Sequence, residues 1–105
     1  MARVLRTPLC RHDLKEIGRY IAEQSQSRDV ALRFLDRIAR RCATFAANPR
    51  AGEACPDLGI DVRRFSVGNY VVFFRPIVDG IELLRILHGA RDIPSVWREQ
   101  WNRGE

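Results

Sequence analysis

Lysine, histidine, paired cysteines and long apolar runs are what this sequence has least of. Lys15 is the only lysine among 18 basic residues, and His12 and His88 are the only histidines. No apolar stretch reaches the roughly 18–20 residues that cross a bilayer, which excludes a spanning helix. The opening MARVLRTPLC lacks the apolar core of a secretion signal, so a cytoplasmic protein without membrane contact is expected. Cys10, Cys42 and Cys55 are odd in number, form no C-x-x-C pair and show no zinc-ligand spacing. Their simplest setting is a reducing compartment, with Cys10 and Cys42 as small buried apolar groups. Also missing are a glycine-rich phosphate loop, a nucleophile elbow, a metal-ligand pair and carboxylates at a recognisable catalytic spacing. Neither a metal nor a cofactor is expected.

What is present is the composition of an ordinary globule, 46% hydrophobic and 30% charged over 105 residues. That is enough for one domain, 1–105, with one modest core. The formal charge is +5, and it is unevenly spread. Residues 1–48 hold ten basic and five acidic groups, residues 49–61 one and three, and residues 62–105 seven and five. An excess in the first half favours an acidic partner or nucleic acid nearby. Arginine suits bidentate contacts to phosphate or carboxylate, although a GC-rich genome also supplies it by default.

Arg3-Val4-Leu5-Arg6 reads as a brief edge strand. Thr7 as N-cap and Pro8 at the first helical position then open a helix. Cys10, Leu14, Ile17 and Ile21 form its apolar stripe, and Gly18 marks a close helix–helix approach. After the polar break QSQSRD, where Ser27 or Asp29 can cap, a second helix carries Ala31, Phe34, Leu35, Ile38, Cys42 and Phe45 on its apolar face. Asn48-Pro49 stops it, because proline disfavours helical geometry in the residue before it. The two helices read as an antiparallel hairpin. PRAGEACPDLGID is a loop, and beyond it the period changes to that of strands. Gly68-Asn69 and Asp79-Gly80 are hairpin turn signals between apolar runs, so three consecutive antiparallel strands follow. A short helix is expected after Pro94, with Trp97 and Trp101 one turn apart.

The last strand is apolar on both faces. By simple alternation Ile81, Leu83 and Leu87 point one way and Leu84 and Ile86 the other; Val72 and Phe74 oppose Val71 and Phe73 in the same manner. Such a sheet needs cover on both sides, and the helical hairpin supplies one layer only. The tail, a second copy or a partner chain must supply the other.

The residues that could carry chemistry are few. His12 lies among charges in the first turn of a helix and reads as exposed and structural. His88 closes the last strand, either packed or facing a partner. The strand arginines Arg63, Arg64, Arg75 and Arg85, with Arg91 after the turn, could hold a phosphate while His88 moves a proton. Alternation sets Arg85 opposite His88, which weakens a shared site; the bland alternative pairs Arg75 and Arg85 with Glu82, Asp79 or Asp92. Trp97 and Trp101 are either a lid on the open sheet face or anchors in a partner's pocket.

The order of elements, VRRFSVGNYVVFFRPIVDGIELLRILHGARD and the closing Leu87-His88-Gly89-Ala90-Arg91-Asp92 resemble the ParE branch of the RelE/ParE toxins of type II toxin–antitoxin modules. The resemblance covers nearly the whole chain and is tightest over residues 62–92. It implies an α+β fold, β-α-α-β-β-β, with the helical hairpin packed on one face of an antiparallel sheet. It implies a cognate ParD-like antitoxin with a ribbon-helix-helix part, through which alone the toxin reaches operator DNA. It implies inhibition of DNA gyrase by binding, in the service of plasmid or genome stabilisation. The missing second layer over the sheet would then be antitoxin. Target-contact candidates are Arg63, Arg64, Arg75, Arg85, His88 and Arg91, and antitoxin-contact candidates are Arg33, Arg37, Arg40, Arg41, Trp97 and Trp101. The RelE branch, a ribosome-dependent mRNA endoribonuclease, is the alternative, with Arg85, His88 and Arg91 as its only matching groups. Its lysines and late tyrosine have no counterpart here, since no tyrosine follows Tyr70.

Overall fold

In a computed structural model, described for residues 2–104 with side chains for 2–100, the first element is a four-residue strand, β1 (Arg3–Arg6). Thr7 stops it and caps helix α1 (Pro8–Ser25), its hydroxyl oxygen accepting from the Cys10 N–H at 3.1 Å. Gln26 in the left-handed conformation ends α1, and Ser27 caps α2 (Arg28–Ala47) through the Val30 N–H. The close approach marked by Gly18 is real: a Cβ there would stand 3.1 Å from the Leu35 side chain of α2. The expected loop holds more order than its composition suggests, a 3-10 turn at Pro49–Ala51 and a two-residue strand, β2 (Glu53–Ala54).

Strands β3 (Arg63–Val67), β4 (Tyr70–Ile77) and β5 (Gly80–His88) form the expected antiparallel meander. Gly68-Asn69 is the first turn; the second is Val78-Asp79, one residue earlier than Asp79-Gly80, because Ile77 pairs with Gly80. Gly80 is needed inside the strand instead, since a Cβ there would meet the Arg3 carbonyl oxygen at 1.9 Å. Pro76 is tolerated in β4 because β3 has already ended; Pro76 pairs with Ile81 of β5 alone.

The strand order is β1-β5-β4-β3-β2. Here the expected all-antiparallel sheet is mixed at one edge, because β1 runs parallel to β5, with Val4 beside Ile81 and Arg6 beside Leu83. The helical hairpin carries the chain from β1 to β2 at the opposite edge, and the meander then returns to set β5 beside β1.

The second departure is in β5. Pairing with β4 slips between Phe73, opposite Arg85, and Phe74, opposite Leu83, so Leu84 is an extra, bulged residue. The bulge reverses the alternation beyond it. Ile86, expected with Leu84, joins Ile81 and Leu83 in the core against Ile17, Ile38, Cys42, Phe65, Val72 and Phe74. Leu87, expected with Ile81 and Leu83, packs with Leu84 on the other face.

That other face is covered by the chain's own tail. Helix α3 (Ile93–Gly104) lays Trp97 against Phe73, ring centroids 5.4 Å apart, within a second cluster containing Val62 and Leu87. The antitoxin is therefore not needed to complete the sheet. Burying Phe73, Leu87 and Trp97 contributes on the order of 1.5–3 kcal/mol each.

Candidate functional site

An open cleft of about 740 Å³ lies between α1, the far end of β5 and α3. It wraps round the edge of β5 beyond Leu83, where β1 has ended. Arg85, opposite Phe73 of the tail-side cluster, and His88, opposite Tyr70 of the helix-side core, still point to opposite faces, because no slip separates them; both line the cleft, together with Arg91, Tyr70 and His12. The opposition of Arg85 and His88 expected from alternation is thus present, although one cleft takes in both.

Sharing the cleft does not free these groups. Asp13, buried on α1, accepts from Arg85 Nε at 2.8 Å, from Arg85 Nη2 at 3.0 Å and from the Ile86 N–H at 2.9 Å. Arg85 Nη1 donates to Gln100 Oε1 of α3 at 3.0 Å. The guanidinium is a clamp joining α1, β5 and α3, its charge met by a bidentate carboxylate. The bulge is held from outside as well, by the Thr7 hydroxyl donating to the Leu84 carbonyl at 2.9 Å.

His88 sits edge-on to Tyr70 at 5.3 Å, directly opposite it in the ladder. Its Nδ1 accepts from the Ala90 N–H at 3.1 Å, so in the neutral ring Nε2 carries the proton. Burial and the neighbouring Tyr20 push the Tyr70 hydroxyl above its ordinary pKa, keeping it a neutral donor. Arg91 is exposed at the rim. The cleft thus presents a neutral hydroxyl, an imidazole and one rim guanidinium, while the most buried cation is already paired.

The other strand arginines do not converge on this cleft. Arg63 Nη1 donates to the Gly52 and Arg50 carbonyls at 2.7 and 3.5 Å and pins the loop before β2. Arg64 pairs with Glu53 and Arg75 with Glu82, each at 2.7 Å. The expected Arg75–Glu82 pairing is present, whereas Arg85 takes Asp13 in place of Asp79 or Asp92. Arg64 borders a separate hollow of about 440 Å³ that also touches Arg91. Among the described residues no group of three or more His, Cys, Asp or Glu gathers as a metal site would require.

Arg33, Arg37, Arg40 and Arg41 lie along one flank of α2, with Arg37 over the Phe34 ring and Arg41 over Phe45 and Phe65. Trp97, weighed both as core and as an antitoxin anchor, is 4% exposed and offers no surface to a partner while α3 is docked. The side chain of Trp101 lies outside the described residues.

Two cleft residues escaped the sequence reading. Asp13 had a signal: it falls on the same helical face as Cys10, Leu14 and Ile17, and a carboxylate in an apolar stripe asks for a buried partner. Tyr70 stands out only once the register across the bulge is known.

The fold is that of the RelE/ParE-like toxins. A solved structure described as the chromosomal ParDE TA system from P. aeruginosa superposes with a TM-score of 0.69 over 84% of this chain and 96% of that one, at 20% identity. Sequence takes the comparison further. The family described as ParE toxin of type II toxin-antitoxin system, parDE, matches residues 4–93. Toxin ParE3 of Caulobacter vibrioides is 33% identical over 95 residues, covering 90% of this chain and 94% of that protein. Toxin ParE1 of Mycobacterium tuberculosis is 33% identical over 66 residues, 62% of this chain and 67% of that one. The chain belongs to the ParE toxin family of type II toxin–antitoxin systems, and an antitoxin is its partner.

Proposed function

We propose that this toxin poisons DNA gyrase by binding it and cuts no nucleic acid itself. A ParD-like antitoxin with a ribbon-helix-helix part neutralises it in the cytoplasm, and operator DNA is reached only through that antitoxin. The observation that carries the reading is the Asp13–Arg85–Gln100 clamp. A nuclease acting on a phosphodiester needs cations free to meet developing negative charge. Here the best-placed cation is committed to a carboxylate, and His88 keeps one ring nitrogen on the backbone. What remains accessible, Tyr70, His88 and Arg91, suits the grip of a binding surface on its target. Arg63, Arg64, Arg75 and Arg85 serve that grip less, because each already holds a neighbour.

For the antitoxin the best seat is an apolar groove of about 270 Å³ formed by Val4, Leu14, Leu35, Ala39 and Leu83. It lies beside β1, an edge strand whose outer side is unpaired among the described residues. An extended segment adding to that edge would satisfy its free backbone groups while apolar side chains fill the groove. Arg6 at the groove would meet an acidic residue of that segment.

Induction in cells without antitoxin, followed by separate assays for gyrase-linked DNA breaks and for mRNA cleavage, tests the reading. Trapped gyrase–DNA complexes with intact mRNA are expected. Cleaved mRNA with unbroken DNA would overturn it. One observation favours the endoribonuclease alternative, namely that Arg85 and His88 line one cleft. That alternative requires His88→Ala to abolish mRNA cleavage while antitoxin binding survives.

A further inference from the structure

The arginines of this protein divide into two kinds. Arg19, Arg40, Arg64, Arg75 and Arg85 each pair with a carboxylate. Arg33, Arg37 and Arg41 are among those with no such pairing among the described residues, and they recur every fourth residue of α2, about 6 Å apart along the helix axis. Arg37 lies over the Phe34 ring at 6.0 Å, and Arg41 lies over Phe45 and Phe65 at 5.6 Å from each. Those last two rings are themselves stacked, 4.1 Å apart and 2° from parallel, so they form a rigid seat. A guanidinium held over a ring loses side-chain freedom, yet its N–H donors at the edge of the plane stay available. Asp36, the only acidic residue between Arg33 and Arg41, is taken by Arg40.

Arg33 and Arg37 are exposed and Arg41 is half-buried. The row runs along β3, whose outer edge is paired by β2 only at Arg63 and Arg64. Near its middle, Arg37 reaches toward the exposed Gly68 turn, its Nη1 standing 3.9 Å from where a Cβ on Gly68 would be.

We propose that this flank of α2 is a nucleic-acid-binding surface, on which Arg33, Arg37 and Arg41 grip the phosphate backbone of duplex DNA without reading its sequence. A row of evenly spaced guanidiniums, two of them held over rings, matches a ligand whose charges repeat evenly. An acidic peptide fits less well, because apolar anchors give such a peptide its hold and the apolar groove opens beside Leu35 and Ala39, on the other flank of the helix. The proposal goes beyond the gyrase reading, because the contact needs no gyrase.

The test uses the purified full chain and fluorescence anisotropy of a labelled 20-base-pair duplex of arbitrary sequence, titrated between 50 and 200 mM salt. The variant Arg33→Gln/Arg37→Gln/Arg41→Gln is compared with the control Arg19→Gln/Arg64→Gln/Arg75→Gln, which lowers the formal charge of +5 by the same amount. Thermal melts establish that both are folded, and Arg33→Gln/Arg37→Gln, which leaves the stacked rings covered, serves if the triple variant is not. The row variant should bind at least ten-fold more weakly at 50 mM salt. The slope of log affinity against log salt should shrink by roughly 2–3, about 0.9 for each lost phosphate contact. The control should stay within a few-fold of the parent. Equal losses in both variants would mean diffuse charge attraction and overturn the proposal. So would unchanged DNA binding by the row variant, including the case where it loses only its binding to a polyglutamate probe.

Discussion

Asp13→Asn removes one charge and almost no volume, and it tests whether the cleft is organised as a clamp. Asp13 and Arg85 are both sheltered, with side chains 8% and 11% exposed, and the carboxylate on α1 accepts three hydrogen bonds from β5, whose Arg85 also holds Gln100 of α3. The amide offers one acceptor where the carboxylate offered two and turns an N–H₂ donor toward a guanidinium donor. Arg85 is then left nearly buried without a counter-charge, a loss of about 3–5 kcal/mol. Domains of this size are stable by about 5–15 kcal/mol, so a large share of the total is at stake. With an unfolding entropy near 2.1 cal/mol/K per residue, the melting temperature should fall by roughly 14–23 °C. Thermal and urea denaturation followed by circular dichroism would measure it, alongside Arg85→Met and the double variant. The double variant should recover much of the loss, because a buried pair replaced by apolar packing no longer strands a charge. A single-variant loss below about 1 kcal/mol, or a double variant equal to the sum of the singles, would refute the clamp.

Other outcomes follow from the same geometry. Thr7→Ala removes both the cap of α1 and the hydroxyl that satisfies the bulged Leu84 carbonyl, so urea unfolding should show about 1–2 kcal/mol lost, with Thr7→Ser recovering most of it. Trp97→Ala should cost about 3–5 kcal/mol by emptying the cover over Phe73. Trp97→Phe should cost far less, because the buried Trp97 Nε1 has no hydrogen-bond partner to lose; equal losses for the two on thermal melting would contradict this. Burial raises Cys10 to about 12 and Cys42 to about 11 from an ordinary value of 9.0. The unfolded thiols therefore ionise first, and the stability these two contribute is whole below pH 9 and lost as pH rises toward 11–12. Urea midpoints measured from pH 8 to 11 should fall less steeply in Cys10→Ala/Cys42→Ala than in the parent.

The helices were legible because their signals are local. Caps at Thr7 and Ser27, the stop at Asn48-Pro49 and the spacing of Cys10, Leu14 and Ile17 all act within a turn or two of chain. The same holds for the Gly68-Asn69 turn, where backbone preference selects the hairpin before anything packs on it. The candidate site was legible only in its residue types. Arg85, His88 and Arg91 were recognisable as groups worth watching, but that one cleft takes in Arg85 and His88 from opposite faces depends on where β1 ends and where α3 docks. Arg85 finding Asp13, 72 residues away, also lies beyond any local rule.

By itself, then, the sequence determined the two-helix hairpin, the three-stranded meander and membership of the toxin family, since these rest on neighbouring residues and on a contiguous stretch from Gly68 to Asp92. Tertiary structure alone decided three things. It set β1 parallel beside β5, because Gly80 lets the Arg3 backbone come close. It closed the second face with α3, because a sheet apolar on both sides is costly in water and Trp97 was within reach. It turned "RILHGARD" from a possible nuclease motif into a strand end whose arginine is a clamp, because one slip in pairing re-aimed every side chain after Leu84.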